Sequence, residues 1–201
     1  MRVAVQRDPI EHSVPGETTH LLAREAQARG ATLWCYPPTE LRYESPTVRA
    51  RARRLRYLSD RPSDPRFELG DVEDLDLAKM DVVLLRQDPP VDLAWLSTTW
   101  MLEHLPPTTR VLNPPGAVRD TSEKLVVLTW PHLAPPTLVT ADPARIRAFR
   151  AHHGDLVIKP LFGKAGQGVF IFDRDDRNFD VVVDDWVRAQ GCPVMVQRYM
   201  G

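Results

Sequence analysis

The chain has 201 residues, 43% hydrophobic and 26% charged, a composition that supports packed cores and lies outside the disordered class. Its net charge is −1 and its pI about 6.6, so no global field draws it to nucleic acid or to an anionic membrane. Two cysteines, Cys35 and Cys192, are too few for a disulfide framework or a zinc cluster. The opening residues hold no apolar signal core, and no apolar run nears the ~20 residues of a spanning helix, so the expected compartment is the cytoplasm.

Arg2 to Gln6 reads as a short strand, Thr18 to Arg29 as a helix with Leu21, Leu22, Ala26 and Gln27 near helical spacing, and Ala31 to Tyr36 as a second strand closed by Pro37 and Pro38. This βαβ opening predicts a doubly wound, Rossmann-like domain whose ligands gather at the carboxyl ends of its strands, where Asp8 and Arg86 fall. Val48 to Tyr57 alternates apolar residues with arginines and suits a half-exposed strand in a hairpin. Asp81 to Leu85 reads as a buried strand, Ala94 to His104 as a helix, and Arg110 to Leu112 as a strand stopped by Asn113-Pro114-Pro115-Gly116, which closes a first domain over residues 1–120.

A second domain, 121–201, is expected to begin with a short helix opened by Arg119 to Lys124 and tailed by Leu125 to Leu128. Thr137 to Val139 reads as a strand, Pro143 to His152 as a helix, and Asp155 to Pro160 as a strand. Gly163 to Gly168 then forms the tip of a hairpin over residues 156–172; Asp180 to Gln190 reads as helical and Val194 to Tyr199 as a last strand. The five tryptophans show no stacking-platform spacing and are expected in the core, and His152 and His153 suit the negative end of their helix.

Chemistry concentrates in the second half. Only four of the 26 basic residues are lysines, and two of them, Lys124 and Lys159, stand where a compact ammonium is informative. Lys159 lies in the apolar run Leu156-Val157-Ile158-Lys159-Pro160, where a charge is costly without a partner. Four residues later Gly163, Gly166 and Gly168 allow backbone N–H groups to approach an anion. A phosphate chain answers both features.

The segment Val157 to Phe170 is similar to the glycine loop of the prokaryotic glutathione synthetases, of the ATP-grasp family. The resemblance extends, in order, through Arg7-Asp8-Pro9-Ile10, Arg86-Gln87-Asp88-Pro89-Pro90, Arg119-Asp120-Thr121-Ser122-Glu123-Lys124-Leu125 and Met195-Val196-Gln197-Arg198-Tyr199. It implies an α/β chain with an N-terminal pre-ATP-grasp domain followed by an incomplete ATP-grasp domain. It further implies ATP-dependent ligation of glycine to γ-glutamylcysteine through an acyl phosphate, with ATP and Mg²⁺, small-molecule partners and neither nucleic acid nor membrane; a homo-oligomer is left open. Lys124 and Lys159 would contact phosphates and act in catalysis. Gly163, Lys164, Gly166 and Gly168 would close over the nucleotide, with Gln197, Tyr199 and Met200 bordering the adenine. Arg86 and Asp8 would hold the charged ends of the peptide substrate.

Two departures from the family carry expectations. Ala165 stands at the first glycine of the loop's usual pair, so a positive φ there carries a Cβ penalty. The family also continues well beyond this point with its Mg²⁺ ligands, so the chain by itself is expected to hold no metal, to lack ligase activity, and to leave Val194–Tyr199 as an open sheet edge. Two alternatives remain open: an ATP-grasp carboxylate–amine ligase of other specificity, and a polyanion-binding module built on the stripe Arg49, Arg51, Arg53, Arg54 and Arg56.

Overall fold

Short β-branched and leucine-rich runs stopped by prolines or polar residues become the parallel strands at the centre of the amino-terminal half. The computed structural model describes residues 1–10, 17–59, 61, 66–163 and 165–201, and their packing forms two units, Met1–Asp120 and Thr121–Gly201. In the first, β1 (Arg2–Gln6), α1 (Thr18–Ala28) and β2 (Thr32–Tyr36) make the βαβ opening, followed by β3 (Leu41–Glu44), β4 (Thr47–Tyr57), β5 (Phe67–Asp76), β6 (Val82–Leu85), α2 (Leu93–Leu102), β7 (Arg110–Leu112) and α3 (Pro115–Asp120). Strands β2, β1, β6 and β7 run parallel in that order, and β4 extends the sheet antiparallel, pairing with β2, β3 and β5. The strand order reverses about β1, so the ends of β1 and β6 flank the switch point at which such sheets collect ligands.

Strand β4 changes its buried face along its length. Val48, Ala50 and Ala52 enter one core with Trp34, Tyr36, Leu41 and Leu77, whereas Leu55 and Tyr57 enter the other with Val3, Val5 and Leu33. The arginines of the stripe take the complementary positions. Strand β5, which sequence patterning does not announce, lies beside them with Glu68, Glu73 and Asp74, and a register shift opposite Arg54 falls at Gly70, where a Cβ would lie 3.0 Å from that of Arg54. Asp74 accepts from both Arg42 (2.6 Å) and Arg49 (3.1 Å), Arg56 meets Glu68 at 3.4 Å, and Arg54 lies over the Trp34 ring at 5.0 Å. Most of the stripe thus has partners of its own, which removes the support for a polyanion surface.

Helix α1 buries Thr19, His20, Ala23 and Arg24 and leaves Leu21 and Leu22 exposed, the reverse of the face its leucines predict. Specific partners explain the inversion: His20 Nδ1 is 2.6 Å from the Tyr57 hydroxyl, and the Arg24 guanidinium lies 4.9 Å from the Tyr57 ring centroid. Burial, reinforced by Arg7, lowers the pKa of His20, while burial lifts Tyr57 to about 12.

The second unit holds one antiparallel sheet in the order β10 (Phe170–Phe172), β9 (Leu156–Pro160), β11 (Val194–Arg198) and β8 (Thr137–Thr140). Strand β11 is therefore interior, paired on both sides, and the expected open edge does not exist there. Helix α4 (Pro143–His153) and α5 (Phe179–Val181), which continues as a π-helical segment Val182–Val187, cover one sheet face through Ile146, Phe179, Val183 and Val187. The helix expected from Arg119 onward lies upstream instead: α3 starts at Pro115 and ends at Asp120, and Leu125–Thr129 is a 3₁₀ turn whose Leu125 N–H donates to the Ser122 hydroxyl. Proline at the first helical position loses no bond, since that N–H has no intrahelical acceptor. Trp34 and Trp95 are buried, whereas Trp100 and Trp130 are about half exposed and lie outside the core. At the end of α4, His153 packs against Phe149, and burial together with His152 lowers its pKa.

Candidate functional site

Alternation along β9 and β11 builds the site. Leu156, Ile158, Val194 and Val196 point into the helix-covered core, so Val157, Lys159, Met195 and Gln197 share the opposite face. There Lys159 Nζ donates to Gln197 Oε1 at 2.9 Å, and Gln197 Nε2 donates to Thr137 Oγ1 at 2.9 Å. Gln197 is 6% exposed and satisfied at both ends of its amide. The lysine is thus oriented by a neutral acceptor, and among the described residues no carboxylate pairs with it.

Lys124 comes from the segment that follows α3. Its Nζ donates to the Gly163 carbonyl at 3.0 Å and lies 3.4 Å from Glu123, whose carboxylate is largely in solvent. Lys124, Lys159, Gly163, Gly166 and Gln197 line one cavity of about 350 Å³, floored in part by Val127 and Met195. Two ammonium groups from distant segments thus share one space with a glycine turn, an arrangement suited to a polyanionic chain.

The turn is strained where the sequence departs from an all-glycine loop. Ala165 has φ 51°, alone among the described non-glycine residues in having a positive value, and it stands beside Gly166 (φ 74°) and near Gly168 (φ 69°). The Cβ penalty expected from the sequence is therefore present. Lys164 lies outside the described residues. Tyr199 and Met200 are exposed and do not line the cavity; the Tyr199 N–H donates to the Asp155 carbonyl.

In the first unit, Asp8 and Arg86 sit at the ends of β1 and β6. Asp8 Oδ2 accepts from the Asp88 N–H at 2.6 Å, and Arg86 Nε donates to Thr19 Oγ1 at 3.1 Å. Asp8 borders a cavity of about 280 Å³ together with Gln87, Asp88 and Trp95; Arg86 does not. Gln87 is the polar residue that sequence reasoning passed over: its Oε1 accepts from Thr98 Oγ1 and from Gln6, whose side chain is fully buried. Its position one residue beyond Arg86, at a strand end, was the available signal. Among the described residues no three acidic, histidine or cysteine side chains gather as a metal site, and no helix is long and apolar enough to cross a membrane.

Residues 1–119 match the profile of the prokaryotic glutathione synthetase N-terminal domain, and residues 123–201 match that of the prokaryotic glutathione synthetase ATP-grasp domain. The chain belongs to the prokaryotic glutathione synthetase family. Among the relatives of this family member, the glutathione synthetase of Rhodopseudomonas palustris is 41% identical and that of Mesorhizobium japonicum 39%, each over 201 residues, the whole of this chain and 64% of theirs. That of Salmonella typhimurium is 32% identical over the whole chain. The chain thus spans slightly less than two thirds of the curated relatives it matches. Its fold is that of a RimK-domain ATP-grasp protein from Sphaerobacter thermophilus, with a TM-score of 0.62, 20% identity and coverage of 100% of this chain and 65% of that one. The D-cycloserine synthetase DcsG is alike in fold, with a TM-score of 0.61, 18% identity and coverage of 99% and 59%.

Proposed function

We propose that this glutathione synthetase family chain carries the substrate domain and the first nucleotide-binding lobe of an enzyme that joins glycine to γ-glutamylcysteine at the expense of ATP. In that reaction the cysteinyl carboxylate takes the γ-phosphoryl group, the glycine amine displaces phosphate from the acyl phosphate, and glutathione, ADP and phosphate result. Such a transfer needs neutralisation of negative charge more than it needs a nucleophilic side chain. Lys159 and Lys124 meet that need as phosphate-binding, catalytic groups, with the backbone N–H groups of Gly163, Gly166 and Gly168 as further donors. Gln197 orients Lys159, and the reading assigns Tyr199 and Met200 to the neighbourhood of the adenine. Asp8 and Arg86 at the switch point are assigned to the charged ends of the peptide.

The observation that carries this reading is the convergence of Lys124 and Lys159 on one cavity beside the glycine turn, inside the segment that matches an ATP-grasp domain. For Mg²⁺ the fit is poor. Among the described residues Glu123 is the sole carboxylate lining the cavity, and it lies against Lys124, so no step of the mechanism is assigned to a protein-held metal. Calorimetric titration with MgATP tests the proposal: saturable binding that is lost in Lys159→Ala supports it, and binding unaffected by that substitution refutes it.

A further inference from the structure

We infer that Trp186, together with Pro160, forms a rest that holds the glycine loop in its phosphate-ready shape, which makes Trp186 a positioning residue for the nucleotide. The inference rests on the nucleotide reading of the same cavity. Both ends of the loop lie against rings. A Cβ on Gly163 would stand 3.0 Å from Pro160 Cγ, and a Cβ on Gly168 would stand 3.0 Å from Trp186 Cζ2 and 3.4 Å from Pro160 Cγ. At the tip, by contrast, a Cβ on Gly166 would meet nothing within 4 Å. The loop is therefore seated at its ends and open at its tip, where anion-facing N–H groups are wanted.

Trp186 is itself held firmly enough to serve. Its ring packs edge-on against Phe170, with centroids 4.9 Å apart, on the strand that leaves the loop. Its own segment is pinned by Val183 and Val187, both buried, and by Arg147, which bridges Asp180 at 2.8 Å and Asp184 at 2.7 Å. That segment is π-helical, and the wider i→i+5 turn takes a smaller angular step per residue than an α-turn, which swings the indole round the axis from its α-helical position. Sequence spacing alone puts Trp186 in the core; the structure puts it at the border, under Gly168. A loop already seated loses less freedom when a ligand arrives, so the rest contributes affinity without touching phosphate.

The test combines hydrogen exchange with a double-mutant cycle on the full chain. The Val169 amide, which donates to the Gly166 carbonyl at 3.2 Å, reports loop order without nucleotide. Trp186→Leu is expected to speed its exchange about tenfold and to weaken MgATP binding about fivefold, with smaller shifts in the same direction for Trp186→Phe. Combined with Trp186→Leu, the loss caused by Gly168→Ala should be less than additive, because the removed ring is the nearest group the new methyl meets; the strain of an alanine at φ 69° and the contact with Pro160 persist in both backgrounds, and Gly163→Ala should add independently. Unchanged Val169 exchange in both tryptophan variants, or additivity at Gly168, overturns the inference. Should Trp186→Leu unfold, the Trp186→Phe exchange rate decides alone. A wild-type chain that binds no MgATP refutes the nucleotide reading and leaves the exchange arm to judge the loop rest.

Discussion

The β4 arginines of the first unit and the two cavity lysines of the second handle positive charge in opposite ways. Along β4 of the first, arginines lie beside an acidic strand, and carboxylates such as Asp74 and Glu68 answer them. In the second, Lys159 and Lys124 are oriented by an amide oxygen and a backbone carbonyl, acceptors that fix a direction and cancel little charge. Neutralised charge serves the fold, whereas charge held by neutral partners is available to a ligand. Residue choice follows: the planar arginine fork suits fixed carboxylates, and the compact ammonium suits a phosphate that comes and goes.

The sharpest way to break this contrast is Lys159→Ala. Charge-assisted hydrogen bonds contribute about 1.5–3 kcal/mol each, so MgATP affinity should fall roughly tenfold to a hundredfold, as read by calorimetry. Lys124→Ala should cost less, nearer the lower bound of that range, because Glu123 already offsets part of its charge. Equal losses at the two positions would show that Glu123 does not matter.

Backbone strain sharpens the contrast further. Ala165→Gly removes the Cβ from a left-handed position and should raise thermal stability by about 1 kcal/mol, less the added freedom of the unfolded chain. A melting temperature that falls instead would mean the methyl makes a compensating contact.

In the first unit, His20 has a folded-state pKa below its ordinary value because burial and Arg7 disfavour its cation. The unfolded chain therefore takes up this proton first as pH drops below about 6.5; the contribution of neutral His20 is complete above that value and declines beneath it. Urea midpoints measured between pH 7.5 and 5 should fall for the wild type and less so for His20→Gln, and parallel profiles would refute the assignment. The smallest effect is expected for Asp74→Asn, whose partners Arg42 and Arg49 remain in water. A slight loss of stability that vanishes in high salt is the expected result, because solvent already screens these pairs.

Much of this could be read in advance. The βαβ opening, the hairpin around the glycine loop and the convergence on Lys159 follow from short-range patterns that local physics enforces. What escaped depends on pairing or on specific burial. Strand β5 carries five acidic residues and a glycine and looks like a loop until the arginines of β4 are set beside it. Thr137–Thr140 closes the free side of β11, which no local pattern announces. Helix α1 inverts its face because His20 and Arg24 find Tyr57, a partner 37 residues away from His20. At the site, the loop glycines and both lysines were legible, whereas the seat beneath Gly168 depends on how distant segments pack, as do the partners of Gln87 in the first unit.

A strand whose upper half is sealed in one apolar layer and whose lower half is sealed in the other acts as a rivet. Peeling either layer from β4 must disturb the second, so the amino-terminal unit should melt in a single step, with the slowest-exchanging amides of both layers sharing one opening free energy.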